Sequence, residues 1–120
     1  MTEGCVNNII ANNLIFAREN SDFVHKYTTT GSNNTFNNNL YYADNGGKWI
    51  WEGVDKLIFD DWKFASQSDQ NTLFNSDPLF INATTFNFQL QNGSPSKDIG
   101  GILANSVYGA FDFNGNVRVK

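Results

Sequence analysis

The sequence predicts an all-β fold built as a short stack of like turns, and three observations carry that reading. Residues Asn8 to Phe16 align with Asn34 to Tyr42 at an offset of 26. Asn8/Asn34, Asn12/Asn38, Asn13/Asn39 and Leu14/Leu40 are identical, and Ile10/Phe36 and Phe16/Tyr42 stay large and apolar. A period of this size is the mark of a stacked, solenoid-like chain. Apolar residues also alternate with others, as at Leu14-Ile15-Phe16 and at Phe86, Phe88 and Leu90, which is the period of a strand. Asparagines come in clusters, at 7–8, 12–13, 33–34 and 37–39. Asn tolerates left-handed backbone and bonds its own main chain, so each cluster marks a tight bend.

The totals agree with one domain spanning residues 1–120. A chain of 120 residues buries roughly two-thirds of its unfolded surface, enough for its own core. Only 17% of residues are charged while 15% are aromatic, the reverse of a disordered composition. The net charge is −4 and no basic run occurs, which argues against a nucleic-acid partner. No apolar stretch reaches the ~20 residues that span a bilayer, so no membrane partner is expected. Glu3 and the Asn pairs interrupt any apolar core of a signal peptide at the start. Cys5 is the single cysteine, so no internal disulfide forms.

Residues 5–58 are the repeat region, two turns of 26 residues. The columns that stay apolar, Ile10/Phe36, Leu14/Leu40 and Phe16/Tyr42, are expected to point inward, with Ile9/Thr35 and Ile15/Tyr41 pointing out. Asn12-Asn13 and Asn38-Asn39 bend the chain, and stacking sets like amides above each other, where they bond along the stack. Phe23-Val24 is expected over Trp49-Ile50 at the same offset. Residues 27–31 and 44–47 close each turn, and Trp49-Ile50-Trp51 is a short strand. Residues 59–76 hold a short helix and a loop, the helix starting near Asp60 or Asp61 and held down by Trp62. Residues 77–120 contain the final strands and a cap, with turns at Asp77-Pro78, at Asn92-Gly93-Ser94-Pro95 and at Asn114-Gly115.

Three segments bear a family likeness. They are Asn38-Asn39-Leu40-Tyr41-Tyr42, Asp77-Pro78-Leu79-Phe80-Ile81-Asn82, and the series Phe88 to Pro95, Asp98-Ile99-Gly100 and Asp112 to Arg118. In this order they resemble the C-terminal part of right-handed parallel β-helix proteins of the pectate-lyase-like class. The resemblance implies a right-handed parallel β-helix of few coils, with a short helix and an irregular C-terminal cap. It also implies an extracellular or cell-surface setting and contact with polysaccharide. The chain departs from the pattern in its shortness and in Ser96-Lys97, where Ala-Ile is usual.

Candidate chemistry is sparse. Elimination on an acidic polysaccharide needs a base and a carboxylate-held cation, and none of Arg18, Lys26, Lys48, Lys56, Lys63, Lys97 or Arg118 sits in a carboxylate cluster. Arg118 is expected to pair with Asp112 or Asp98. Asp60 and Asp61 read as helix-capping residues ahead of a hydrolase pair, and Asp112 to Asn116 reads as a turn, since its spacing does not fit an EF-hand. His25 and Cys5 are the only soft donors, so no metal and no other cofactor is expected. The sequons at Asn33, Asn82 and Asn92 carry no weight in so Asn-rich a chain. Tyr41, Trp49 and Trp51 are the ligand-binding candidates, because sugar C–H faces stack on flat rings beside Asn or Asp. The competing reading is that at least two of these rings pack under the helical loop; Tyr41 is the one expected outside.

The function expected on these grounds is non-catalytic. The chain is a structural end module in contact with carbohydrate, and it forms a homo-oligomer through the uncovered first turn near Val6–Phe16. The alternative is the C-terminal fragment of a polysaccharide lyase or glycoside hydrolase whose catalytic residues lie outside this chain.

Overall fold

The computed structural model describes residues 4–19, 21–101 and 115–117. Residues 9–51 lay down two layers of three strands. The first holds β1 (Ile9–Ala11), β2 (Leu14–Ala17) and β3 (Asp22–Lys26); the second holds β4 (Thr35–Asn37), β5 (Leu40–Ala43) and β6 (Lys48–Trp51). Each first-layer strand pairs in parallel with its second-layer counterpart: Ile10 opposite Phe36, Leu14 opposite Leu40, Phe16 opposite Tyr42. In the third pair, Asp22 faces Lys48 but Val24 faces Trp49, so the offset falls from 26 to 25 at a bulge. Phe23 is the extra residue. The expected alignment of Phe23-Val24 with Trp49-Ile50 is therefore displaced by one position.

The four asparagine pairs divide their labour in the same way. The first member of each, Asn7, Asn12, Asn33 and Asn38, has φ between 51° and 59°, the left-handed region that Asn enters more readily than most side chains. These residues turn the chain, and one pair of them also joins the layers, Asn33 Nδ2 donating to Asn7 Oδ1 at 3.2 Å. The second member bridges the layers: Asn34 Oδ1 accepts from the Asn8 backbone N–H (3.1 Å) and side-chain amide (2.8 Å). Asn39 Oδ1 does the same for Asn13, at 3.0 and 3.1 Å.

The bend at Asn12 and Asn38 also changes which side chains share a face. Ile10 and Ile15 both pack on one core of Ala17, Phe23, Phe36, Tyr41, Trp49 and Trp62. Leu14 and Phe16 face the other side, lining a groove with Phe80 and Leu90; Phe16 sits 5.4 Å from Tyr42 and 6.2 Å from Phe80. The expected inward column Leu14/Leu40 and Phe16/Tyr42 thus belongs to a second apolar layer, and Ile15/Tyr41 points into the main core. Leu40 is nonetheless 1% exposed, and it borders a small cavity of about 120 Å³ that Ser96, Ile99 and Gly100 line from the other side.

After Trp51 the chain stops repeating. Glu52 (φ 55°) and Gly53 (φ 78°) form a two-residue turn with Trp51 opposite Val54, and β7 (Val54–Lys56) runs back antiparallel to β6. Helix α1 (Phe59–Ser66) follows. Its N-cap, Ile58, offers no side-chain acceptor, so Asp60 and Asp61 act from the first turn on the helix dipole and do not cap. Eight residues are too few for a helix to persist alone; Trp62, buried at 0% exposure, holds it to the core. Gln67 ends it in the left-handed region. β8 (Leu73–Phe74) then adds two residues beside β5, with Leu73 opposite Leu40. β9 (Phe80–Asn82) and β10 (Asn87–Leu90) form an antiparallel hairpin through a 3-10 turn at Ala83–Thr85.

These features overturn the expected right-handed parallel β-helix. Among the described residues the strands make four small separate sheets of two or three strands, mixing parallel and antiparallel pairs, and they close into no helix or solenoid. The physical reason is that the repeat runs for two copies only. The Glu52-Gly53 reversal, the helix and the β9–β10 hairpin each break the parallel stacking that a continuing coil requires. Of the expected cap, residues 112–114 and Arg118 lie outside the described residues.

Candidate functional site

The three predicted ligand-binding aromatics separate in the structure. Tyr41 on β5 and Trp49 on β6 are 0% exposed. Their rings meet edge to face at 5.3 Å, and Trp49 stacks on Trp62 at 5.9 Å and lies 4.8 Å from Phe23. Such contacts stabilise beyond the area they bury, and they leave neither ring a face for a ligand. Tyr41 is inside rather than outside because the left-handed bend at Asn38 resets the alternation of faces between β4 and β5. Trp51 is half-buried, its ring edge-on to Trp62 at 5.3 Å and beneath Lys26 Nζ at 4.5 Å.

Beneath the aromatic core lies a carboxylate that the sequence did not single out. Asp69 is 1% exposed. Its Oδ2 accepts from the Tyr41 phenol (2.8 Å) and the Trp62 indole N–H (2.7 Å). Its Oδ1 accepts from the Asn39 amide (3.1 Å) and the Thr72 hydroxyl (2.6 Å). Four donors from three segments therefore satisfy one buried charge, the condition under which burial is tolerated. Burial first, and the adjoining Asp69 charge second, push the Tyr41 phenol well above its usual range, so it stays a donor. The group is structural: it is sealed from solvent and locks α1 and the 68–72 turn to β5.

The accessible feature is the first layer. Among the described residues β1, β2 and β3 each stand at the outside of their sheet, bonded only toward later strands. Each free edge lies on the side away from its own second-layer partner, β4, β5 or β6. Ile9 (59%) and Val6 lie exposed on this edge. Beside it opens a concavity of about 570 Å³, walled by Ile10, Phe36, Trp51, Tyr27 and Asn34. Tyr27 is 76% exposed and stacks on His25 at 3.8 Å.

The side-chain amides distinguish this end. In the second layer they reach back to first-layer carbonyls: Asn34 Nδ2 donates to Cys5 O (2.8 Å) and Asn39 Nδ2 to Ile10 O (3.0 Å). In the first layer the same amides, besides bridging forward, fold onto their own chain, Asn8 Nδ2 to Val6 O (3.4 Å) and Asn13 Nδ2 to Ala11 O (3.1 Å). The identical columns Asn8/Asn34 and Asn13/Asn39 were the sequence signal for these bridges; the direction in which they point was not readable.

The remaining candidates are dispersed. His25 pairs with Asp22 at 3.1 Å, Lys26 with Glu52 and Lys48 with Asp55 at 2.6 Å, and Lys63 with Asp60 at 2.7 Å. Arg18 lies 3.9 Å from Asp44. Cys5 is exposed and free. Among the described residues no three His, Cys, Asp or Glu side chains converge as a metal site, and no helix is long and apolar enough to cross a membrane.

Comparison with known proteins gives one informative match. A Bacillus subtilis (strain 168) protein described as "Uncharacterized protein YwoF" is 30% identical over 95 residues, which is 78% of this chain and 20% of that protein. The chain thus spans about a fifth of the length of the relative it matches. No family model matches the chain, and no solved structure matches it significantly. None of this bears on the pectate-lyase-like resemblance.

Proposed function

We propose that this chain is a non-catalytic structural module that assembles by strand addition at the edge formed by residues near Val6–Phe16. In a solution of the pure chain the available partner is a second copy. The observation that carries the reading is that all three first-layer strands leave one edge unpaired among the described residues. Open edges are templates for pairing, and natural proteins blunt them with lysine, proline or a covering element. Here the edge carries Val6, Ile9 and Ile10, and Asn at 7, 8, 12 and 13. On the second layer β8 covers β5 and β7 covers β6, with α1 packed on β6 and β7, so the first layer is where all three layer strands are left open.

Sedimentation velocity tests this. The wild-type chain should gain mass between about 1 and about 100 μM, and Ile9→Lys should remain monomeric over the same range with unchanged thermal stability. A wild-type chain that stays monomeric at the upper concentration refutes the reading.

A second reading is contact with polysaccharide in the concavity beside the edge, favoured by the half-exposed Trp51 and the exposed Tyr27 with Asn34 between them. It differs from the expected platform in that Tyr41 and Trp49 take no part. Oligosaccharide should then shift tryptophan fluorescence in the wild type and not in Trp51→Ala; an unchanged spectrum at saturating sugar excludes it.

A further inference from the structure

We infer that the preferred occupant of the first-layer edge is an extended polypeptide segment that runs parallel to β1 and β2 and carries asparagines in register with Asn8 and Asn13. The inference rests on the edge being an assembly surface, and it adds the direction, register and side-chain chemistry of the partner.

Asn34 and Asn39 bridge with a polarity that the Asn7/Asn33 pair does not share, since there the second-layer Asn33 amide donates to Asn7 Oδ1 at 3.2 Å. Each second-layer Oδ1 takes two hydrogen bonds from the layer before it, one from a backbone N–H and one from a side-chain amide. No described residue donates to Oδ1 of Asn8 or Asn13, although both side chains are exposed. The first layer therefore presents, twice, the acceptor that the second layer has filled. The carbonyls are arranged in the same sense. Cys5 O and Ile10 O receive the amides of the following layer, so the amides of Asn8 and Asn13 await carbonyls of a preceding one and meanwhile bond Val6 O and Ala11 O.

A segment laid parallel on this edge repeats an interface already present in the molecule. Its backbone pairs with β1 and β2, and its asparagine N–H and amide fill Oδ1 of Asn8 and Asn13. It frees the two amides to reach its own carbonyls. A second copy does not match this pattern. Related by a twofold axis, its first layer arrives antiparallel, with Oδ1 facing Oδ1. Its far end offers β7 already antiparallel on β6, and an asparagine column ended at Asn39, whose N–H is taken by Thr72 Oγ1 (3.0 Å) and whose amide by Asp69. The chain's own first layer is the natural probe, because it performs this role over the second.

The test uses a fluorescein-labelled peptide of residues 5–17 with Cys5→Ser, titrated with the intact chain at concentrations where sedimentation shows monomer. Saturable anisotropy is expected, with binding weakened ~30-fold when both peptide asparagines at positions 8 and 13 become alanine. That is the loss of two hydrogen bonds of ordinary net strength. The peptide changes leave the protein untouched, so misfolding is not a concern. The peptide should also dissociate any self-associated chain and fail to bind Ile9→Lys. Equal binding of the alanine peptide, equal binding of a reversed-sequence peptide, or no binding overturns the inference. A chain that self-associates yet ignores the peptide overturns this inference alone, whereas a chain that does neither overturns the assembly reading as well.

Discussion

The Tyr41 phenol donates to Asp69 Oδ2 at 2.8 Å across 28 residues of chain, and both groups are closed to solvent. The bond ties the middle strand of the largest parallel sheet to the turn that follows α1. Trp62 Nε1 donates to the same oxygen. The helix, the turn and the sheet therefore meet on one carboxylate.

Asp69→Ala strands four donors in the interior. Each buried unsatisfied donor costs about 1–3 kcal/mol, so a loss of at least about 3 kcal/mol is expected. Thr72→Val removes one donor to Asp69 and leaves the buried Asn39 N–H without its acceptor, and should cost about 1–3 kcal/mol, less than the loss of Asp69. Urea denaturation of the two variants measures the difference; equal losses would mean that Asp69 is not the shared anchor.

Alkaline stability follows from Tyr41. Its phenol is held above its ordinary value in the folded chain. The unfolded chain therefore releases this proton first and binds fewer protons, so stability is intact below about pH 10 and declines as pH rises beyond it. Urea midpoints between about pH 9 and about pH 11 should fall for the wild type. The Tyr41→Phe chain starts lower, having lost the bond to Asp69, and its decline should be shallower; parallel declines would contradict the assignment.

Leu40 is 1% exposed, flanked by Leu14 and Leu73 across the sheet. Leu40→Ala should cost about 2–5 kcal/mol. Thr35, exposed on β4, should tolerate alanine with about 0.5 kcal/mol or less. Similar losses at both positions would show that the second apolar layer contributes little.

Gly47 has φ +90° and sits where a Cβ would lie 2.6 Å from the Phe23 ring and 2.8 Å from the Ala43 Cβ. Gly47→Ala is strained in its backbone and crowded against the core, so a loss above about 1 kcal/mol is expected. Gly93 has open space at the Cβ position, and Gly93→Ala is the control. Thermal melts of the pair should separate clearly.

The strand register was legible and the overall architecture was not, for identifiable reasons. Leu14/Leu40 and Asn13/Asn39 are identical, so sliding the sequence on itself finds the partners that lie side by side. Facing was lost at Asn12 and Asn38, because a left-handed bend resets the alternation and no residue type records by how much. The bulge at Phe23 escaped because Phe23 and Trp49 are both large aromatics and align plausibly one position out. Extrapolating two copies into a helix failed at Glu52-Gly53, where two residues of positive φ reverse the chain. Asp69 was invisible because its partners come from 39, 41, 62 and 72, with no shared period. Of the aromatic trio, Tyr41 and Trp49 pack inside, which matches the competing reading that at least two rings lie under the helical loop; the outward placing of Tyr41 failed with the facing at Asn38.

The long reach of the parallel pairing bears on how the chain acquires its shape. Throughout residues 9–51 each ladder joins strands a whole repeat apart, so no neighbouring pair can zip together at the start, and each contact demands closure of a loop of about 25 residues. Only the Lys48–Lys56 hairpin, with α1 just after it, is local in this half of the molecule. Order should therefore begin there and spread backward, so that β1 to β3, made before the hairpin, settle after it.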